Sequence, residues 1–259
     1  MKQSKELIDL RRRNALLVIN ENRTISNSDL AKKLDVSLPT IRRDINYLLD
    51  KGLIYREHGK VHALDSKVIT ASKIERKKDL IAKIAASLIS DDDTVFINSS
   101  DTSIKTIKYI DPAKYISVIT NNGNALSYHT LPNVKIIFTG GEIKAPKSAM
   151  TGEFCLKNIN GVQANKAIMG ASGFHLEEGM TTANIDEVAV NKAMIQNSNT
   201  VILCVDSSKL NHISAFVSGS VRGFDILITD TDADKDIIDN LNLLGIKCIQ
   251  VDIDDPEYN

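Results

Sequence analysis

The sequence predicts an α/β protein in two parts. A small N-terminal winged helix-turn-helix domain (residues 1–64) is followed by a linker (65–75) and a larger, mostly parallel α/β domain (76–259). Three observations carry this. Residues 37–49, SLPTIRRDINYLL, have apolar positions at helical spacing on one face and guanidinium groups on the other. Beyond residue 90, short apolar runs recur at a regular beat with helix-like stretches between most of them, the pattern of a parallel sheet covered on both faces. The net charge of −1 divides into +5 over residues 1–60 and −6 over the rest, so any polyanion is met by the first part.

The first part builds in order. Residues 6–20 carry Leu7, Ile8, Leu10, Leu16, Leu17 and Ile19, enough for a first helix. Residues 24–26 read as a short extended piece, and a second helix opens near Ser28 with Ser26 or Asn27 as cap. Asp35-Val36 makes a turn. Ser37 then caps the amphipathic helix, and Pro39 sits in its first turn, where a missing N–H costs little. Leu38, Ile41, Ile45, Leu48 and Leu49 form its buried stripe, while Pro39, Thr40, Arg42, Arg43 and Asn46 face outward. A hydroxyl, an amide and two guanidinium groups are donors suited to phosphates and to base edges in a major groove. Gly52 ends the helix. Residues 53–57 and 61–64 then read as a hairpin with His58, Gly59 and Lys60 at its tip, a wing that lies against a sugar-phosphate backbone.

These residues resemble the N-terminal winged helix of the DeoR family of bacterial repressors. The match centres on DLAKKLDVSLPTIRRDINYLLDKGLI, with Thr-Ile-Arg-Arg-Asp its most diagnostic string. The resemblance places Ser37, Thr40, Arg42 and Arg43 on a recognition helix for operator DNA. The family's wing usually reads His-Gly-Gly-Ala; here it is His58-Gly59-Lys60-Val61, which adds a charge for a phosphate contact.

In the second part, a helix is expected over 74–89. Strands are expected at 94–97, 116–120, 134–138, 167–169, 201–205, 226–229 and 248–251, and further helices at 103–110, 124–129, 185–196 and 235–244. Ligands of such sheets bind beyond the carboxyl ends of the strands. Five of those ends are rich in hydroxyls, amides and glycines. They carry Asn98-Ser99-Ser100-Asp101-Thr102-Ser103, Thr120-Asn121-Asn122-Gly123, Thr139-Gly140-Gly141-Glu142, Gly170-Ala171-Ser172-Gly173 and Asp206-Ser207-Ser208-Lys209. Such groups suit an anion, phosphate above all. No GxGxxG or GxxxxGK[ST] string is present, which disfavours dinucleotide and P-loop sites. Three scattered cysteines and five histidines show no metal-ligand spacing, so no metal and no cofactor are expected. No run is long and apolar enough to span a bilayer, and no signal peptide is evident in MKQSKELIDLRRR. The expectation is therefore cytoplasmic.

The strand-end loops resemble the family's C-terminal sensor domain, whose fold is related to ribose-5-phosphate isomerase and glucosamine-6-phosphate deaminase. The matching strings are Thr120-Asn121-Asn122, Gly140-Gly141-Glu142, Gly179-Met180-Thr181-Thr182 with Asn184 and Glu187, and Asp206-Ser207-Ser208-Lys209. In the family these line a pocket for a phosphorylated sugar or sugar alcohol. The first loop departs from the family's Asp-Ser/Ala-Gly-Thr-Thr-Thr: Ser100 replaces the glycine and Asp101 enters a site for phosphate. The sequence thus implies a repressor that binds operator DNA as a homo-oligomer and answers to a sugar phosphate. The alternative is a sugar-phosphate isomerase or deaminase-like enzyme, because Asp206–Lys209 also resembles an isomerase string. Glu142, Glu177, Glu178 and Glu187 are its candidate bases, but none lies in the isomerases' Asp-Gly-Ala-Asp-Glu context.

Overall fold

The computed structural model describes residues 5–57, 59–63, 66–128, 131–143 and 148–255. His58 in the expected wing tip, Leu64 in its return strand, Asp65 in the linker and His129 in an expected helix lie outside the described residues. Contacts divide the chain into two units, 1–73 and 74–259.

The first unit comprises α1 (Lys5–Asn22), β1 (Thr24–Ser26), α2 (Asn27–Lys33), α3 (Leu38–Asp50), β2 (Ile54–Glu57) and β3 (Lys60–Ala63). Its core joins Ala15 and Ile19 of α1, Leu30 of α2, and Ile41, Ile45 and Leu48 of α3 to Ile54 and Val61 of the hairpin. Ser26 caps α2, its hydroxyl accepting from the Asp29 N–H at 3.1 Å. The expected two-stranded wing is a three-stranded antiparallel sheet in the order β1-β3-β2, with Thr24–Ser26 paired to residues 60–62. Gly59 turns the hairpin at φ +77°, a conformation that costs glycine nothing.

The linker expected at 65–75 is helical from Ser66. Helix α4 (Ser66–Ser87) begins in the first unit and continues into the second. Polar composition suggested a loop, but residues 66–73 contain no glycine or proline to break a helix that Leu80, Ile81 and Ala85 anchor downstream.

The second unit is built on seven parallel strands in the order β15-β14-β12-β9-β4-β5-β6. They are β4 (Thr94–Ile97), β5 (Ile116–Thr120), β6 (Val134–Phe138), β9 (Ala164–Met169), β12 (Ser198–Cys204), β14 (Ile226–Asp230) and β15 (Lys247–Val251). Alternate side chains enter opposite cores. Phe96, Met169, Leu203 and Leu227 meet α7 (Asp186–Gln196) and α8 (Lys235–Leu243), while Val95, Ile97, Ile168 and Ile202 meet α4. Chain order runs outward in both directions from the β4–β9 pair, so the topological switch point lies there.

Two expected helices are shorter than the apolar spacing implied. Residues 103–110 fall partly in α5 (Asp101–Ile104) and partly in a 3-10 segment, Lys105–Tyr109, and residues 124–129 fall largely in another, Gly123–Ser127. Pro112 disfavours a helical Asp111 ahead of it, and the short span to the next strand leaves no room for more turns. Elements missed in sequence are β7 (Glu142–Ile143) paired with β8 (Met150–Thr151), α6 (Glu153–Asn160), and a small antiparallel sheet. That sheet contains β10 (Gly173–His175), β11 (Gly179–Thr182) and β13 (Phe216–Gly219).

Candidate functional site

The outward face of α3 is the first candidate. Ser37 caps it, accepting from the Thr40 N–H at 3.4 Å, and its hydroxyl also lies 2.8 Å from that of Thr40. Pro39, Arg42, Arg43 and Asn46 are exposed and Thr40 is half-buried. Arg56 on β2 reaches Asn46 at 3.4 Å, while Gly59 and Lys60 are exposed at the wing. The residue that sequence reasoning missed is Asp44. It is 1 % exposed, yet takes Arg11 Nε at 2.6 Å and Arg12 Nε at 3.2 Å. The Arg12 guanidinium also lies 3.7 Å from the Tyr47 ring centroid. Asp44 therefore fixes α3 to α1 and is no reader itself. The signal was available: an aspartate among Ile41, Ile45 and Leu48 on the apolar stripe must find a cation.

The second candidate is a cavity of about 470 Å³ in the second unit, beyond the carboxyl ends of β4 and β9. Asn98, Ser99, Ser100, Asp101 and Thr102 line it from the loop after β4, Asn122 from the loop after β5, and Gly170 from the loop after β9. Asp206 and Lys209 line it after β12, and Thr182 and Glu187 from β11 and α7. Ala171, Ser172, Met180 and Ser208 of the expected stretches also line it, and the wall contains residues not expected from sequence: Ile74 and Lys78 from α4, Asn191 from α7, and Asn124 and Ser148 from loops. Lys78 thus joins Lys209, the one lysine of the five strand-end loops, in the wall. The missed signal is the Arg76-Lys77-Lys78 run at the head of an apolar stripe.

Hydrogen bonds hold this wall. Asn98 binds both ends of the Gly170 backbone, accepting its N–H at 2.9 Å and donating to its carbonyl at 2.9 Å, and it donates to Asn191 at 3.1 Å. A Cβ on Gly170 would stand 2.0 Å from Ser100 Oγ, so the bulk of Ser100 is accommodated by the bare glycine opposite. Glu187 is buried and accepts the Thr182 hydroxyl at 2.6 Å. Lys78 pairs with Glu75 at 2.8 Å, which holds the Glu75 carboxyl below its usual range against partial burial, with help from Lys105. The loop after β12 is anchored from behind: Lys77 reaches Asp230 and Asp232 at 2.6 Å each and donates to Ser207 Oγ at 3.1 Å. Burial pushes the Asp230 carboxyl up, but Lys77 and the Ser207 N–H outweigh it and leave it below the usual range.

Eight of the expected ligand residues do not line the cavity. Ser103 is buried and donates to Asn98 Oδ1 at 2.8 Å. Thr120 accepts the Asn122 N–H at 3.1 Å, and Asn121 donates to the Met150 carbonyl at 3.1 Å. Thr181 donates to the Gly173 carbonyl at 3.0 Å, and Asn184 accepts the Asp186 N–H at 3.1 Å. Gly140, Gly141 and Glu142 follow β6, an edge strand displaced from the switch point by β5. Gly141 is required by packing, since at φ +109° its Cβ would stand 2.3 Å from the Thr151 carbonyl oxygen. These residues shape the loops; short polar side chains serve turns as readily as ligands. Among the described residues no cluster of His, Cys, Asp or Glu could hold a metal ion.

A winged helix with an exposed basic reading face, followed by an α/β domain with a polar cavity at its switch point, defines a DNA-binding transcriptional regulator with a sensor domain. The family pattern described as the DeoR-like helix-turn-helix domain matches residues 11–67, and the DeoR C terminal sensor domain matches residues 73–231. The chain is 29% identical over 225 residues to the HTH-type transcriptional regulator GolR of Listeria innocua, covering 84% of this chain and 89% of that protein. It is 30% identical over 220 residues to the glycerol-3-phosphate regulon repressor of Escherichia coli, covering 82% and 87%. A solved ribose 5-phosphate isomerase A from Methanocaldococcus jannaschii aligns at TM-score 0.39 and 15% identity over 52% of this chain and 54% of that one. The chain belongs to the DeoR family. No described helix is long and apolar enough to cross a membrane.

Proposed function

We propose that the protein represses a carbohydrate uptake or catabolism operon in the cytoplasm, and that a phosphorylated sugar or sugar alcohol in the second unit's cavity controls it. The observation that carries this is the cavity itself: hydroxyls, amides and two lysines converge at the switch point of a parallel sheet. A sensor of this kind is expected to act as a homo-oligomer reading two-fold related half-sites. The name of the Escherichia coli relative, a repressor of a glycerol-3-phosphate regulon, supports a phosphorylated effector. Ser37, Pro39, Thr40, Arg42, Arg43 and Asn46 would face the groove, with Gly59 and Lys60 on the backbone.

The test has two arms. Arg42→Ala with Arg43→Ala should leave the fold intact and abolish gel-shift binding to a duplex selected from a random pool by the unmodified protein, since both side chains are exposed. Unchanged affinity would overturn the reading face. A panel of sugar phosphates should raise the melting temperature of the full chain, because a ligand specific to the native state stabilises it. The enzyme reading has one observation in its favour: Glu187, of its four candidate bases, lines the cavity. Turnover of ribose 5-phosphate or a hexosamine phosphate at about 1 s⁻¹ would establish catalysis.

A further inference from the structure

Asp101 and Lys209 differ from the other charged residues of the cavity wall in that the protein does not use their charges. Lys78 is committed to Glu75 at 2.8 Å and Glu187 to Thr182 at 2.6 Å, and Asp206 holds the N–H and hydroxyl of Ser208. Among the described residues, neither the Asp101 carboxylate nor the Lys209 ammonium has a hydrogen-bond or ion-pair partner. The site thus offers one unpaired anion and one unpaired cation to whatever enters it.

The charge balance of the wall narrows the ligand. Among the described residues of the wall, two lysines, Lys78 and Lys209, stand with three carboxylates, Asp101, Glu187 and Asp206, of which Asp101 has no partner. A phosphate monoester brings about −1.5 to −2 charges at neutral pH, and an acid in its wall opposes it. Asp101 lies in the first turn of α5, which favours a carboxylate modestly, but no described side chain pairs with it. A ligand carrying its own cation removes the conflict.

We propose that the ligand is a phosphorylated amino sugar, a zwitterion whose phosphate meets Lys209 and whose ammonium meets Asp101. This rests on the sugar-phosphate reading above and sharpens it. Electrostatic complementarity of this kind sets specificity: a hexose phosphate would leave the carboxylate facing a hydroxyl, and an N-acetylated sugar would offer it a neutral amide. An ammonium–carboxylate contact is the stronger, charge-assisted kind.

Isothermal titration calorimetry on the full chain tests this with the 6-phosphates of glucosamine, galactosamine and mannosamine, each beside its hexose and N-acetyl counterparts. At least one amine should bind about ten- to hundredfold more tightly than both of its counterparts, the value of one charge-assisted contact. Asp101→Thr, at an exposed position that leaves the fold intact, should remove that preference while keeping the hexose phosphate bound. Raising the pH past the ammonium's own pKa should erode the preference in the unmodified protein and leave the variant unmoved. Equal or tighter binding of the hexose phosphates, or a preference that survives in Asp101→Thr, overturns the amino-sugar assignment and leaves the sugar-phosphate reading standing. Binding of none of the phosphorylated compounds overturns both.

Discussion

Replacing Asp44 by alanine should loosen the reading head without touching a residue of its DNA face. Asp44 is 1 % exposed and receives three arginine N–H bonds, from Arg11 Nε at 2.6 Å and Nη2 at 3.2 Å and from Arg12 Nε at 3.2 Å. Breaking a fully buried pair costs about 3–5 kcal/mol. The arginine side chains here keep 16 % and 25 % of their exposure, so solvent recovers part of that, and a loss of about 2 kcal/mol is expected. A unit of this size holds roughly 5 kcal/mol in all, and about 2 kcal/mol should lower its melting temperature by roughly 8–16 °C. The assay is calorimetry of the full chain, followed by hydrogen exchange of the α1 and α3 amides. Exchange should rise in those helices and stay fixed in the parallel sheet, whose core is separate. DNA affinity should fall with the population of ordered head. A melting shift under about 2 °C for Asp44→Ala, with unchanged exchange in α3, would refute the argument that this carboxylate fastens the recognition helix.

Other outcomes follow from the second unit. Lys209→Met keeps the side chain's length and removes its charge; it should weaken a phosphorylated effector about ten- to hundredfold and leave effector-free DNA affinity unchanged, read by titrating effector into a preformed protein–DNA complex. Asp230 has a carboxyl pKa held below the usual 3.8, so its contribution is present above that value and lost as the pH falls through the lower folded value. Acid titration of stability should show this loss below about pH 4, and Asp230→Asn should flatten that part of the curve. Gly141→Ala should cost about 2 kcal/mol or more, visible as a drop of about 4–8 °C in the sensor's melting temperature, because φ is +109° and the new Cβ meets the Thr151 carbonyl oxygen.

The sequence by itself determined what rests on local periodicity. Buried parallel strands read as short apolar runs, and the seven expected from residues 94–251 are the seven strands of the sheet, with β4, β5 and β6 at the expected bounds. The recognition helix, its Ser37 cap and the Ile41, Ile45 and Leu48 part of its stripe were equally legible, since a cap and an i, i+3, i+4 stripe act within a few residues, whereas Leu38, expected in that stripe, is exposed. Tertiary structure decided the rest. The helix from Ser66 is anchored by packing further along the chain, and composition at 65–75 gave no sign of it. Polar strand ends all look alike in sequence; only the strand order, which puts β4 beside β9, makes the loops at Asn98 and Gly170 line a cavity and leaves Gly140–Glu142 outside it. Lys78 reaches that cavity and Asp44 meets its arginines for the same reason. The cavity loops around Lys78 and the arginines that Asp44 meets are distant in sequence and on other elements, and proximity of that kind exists only once the chain has folded.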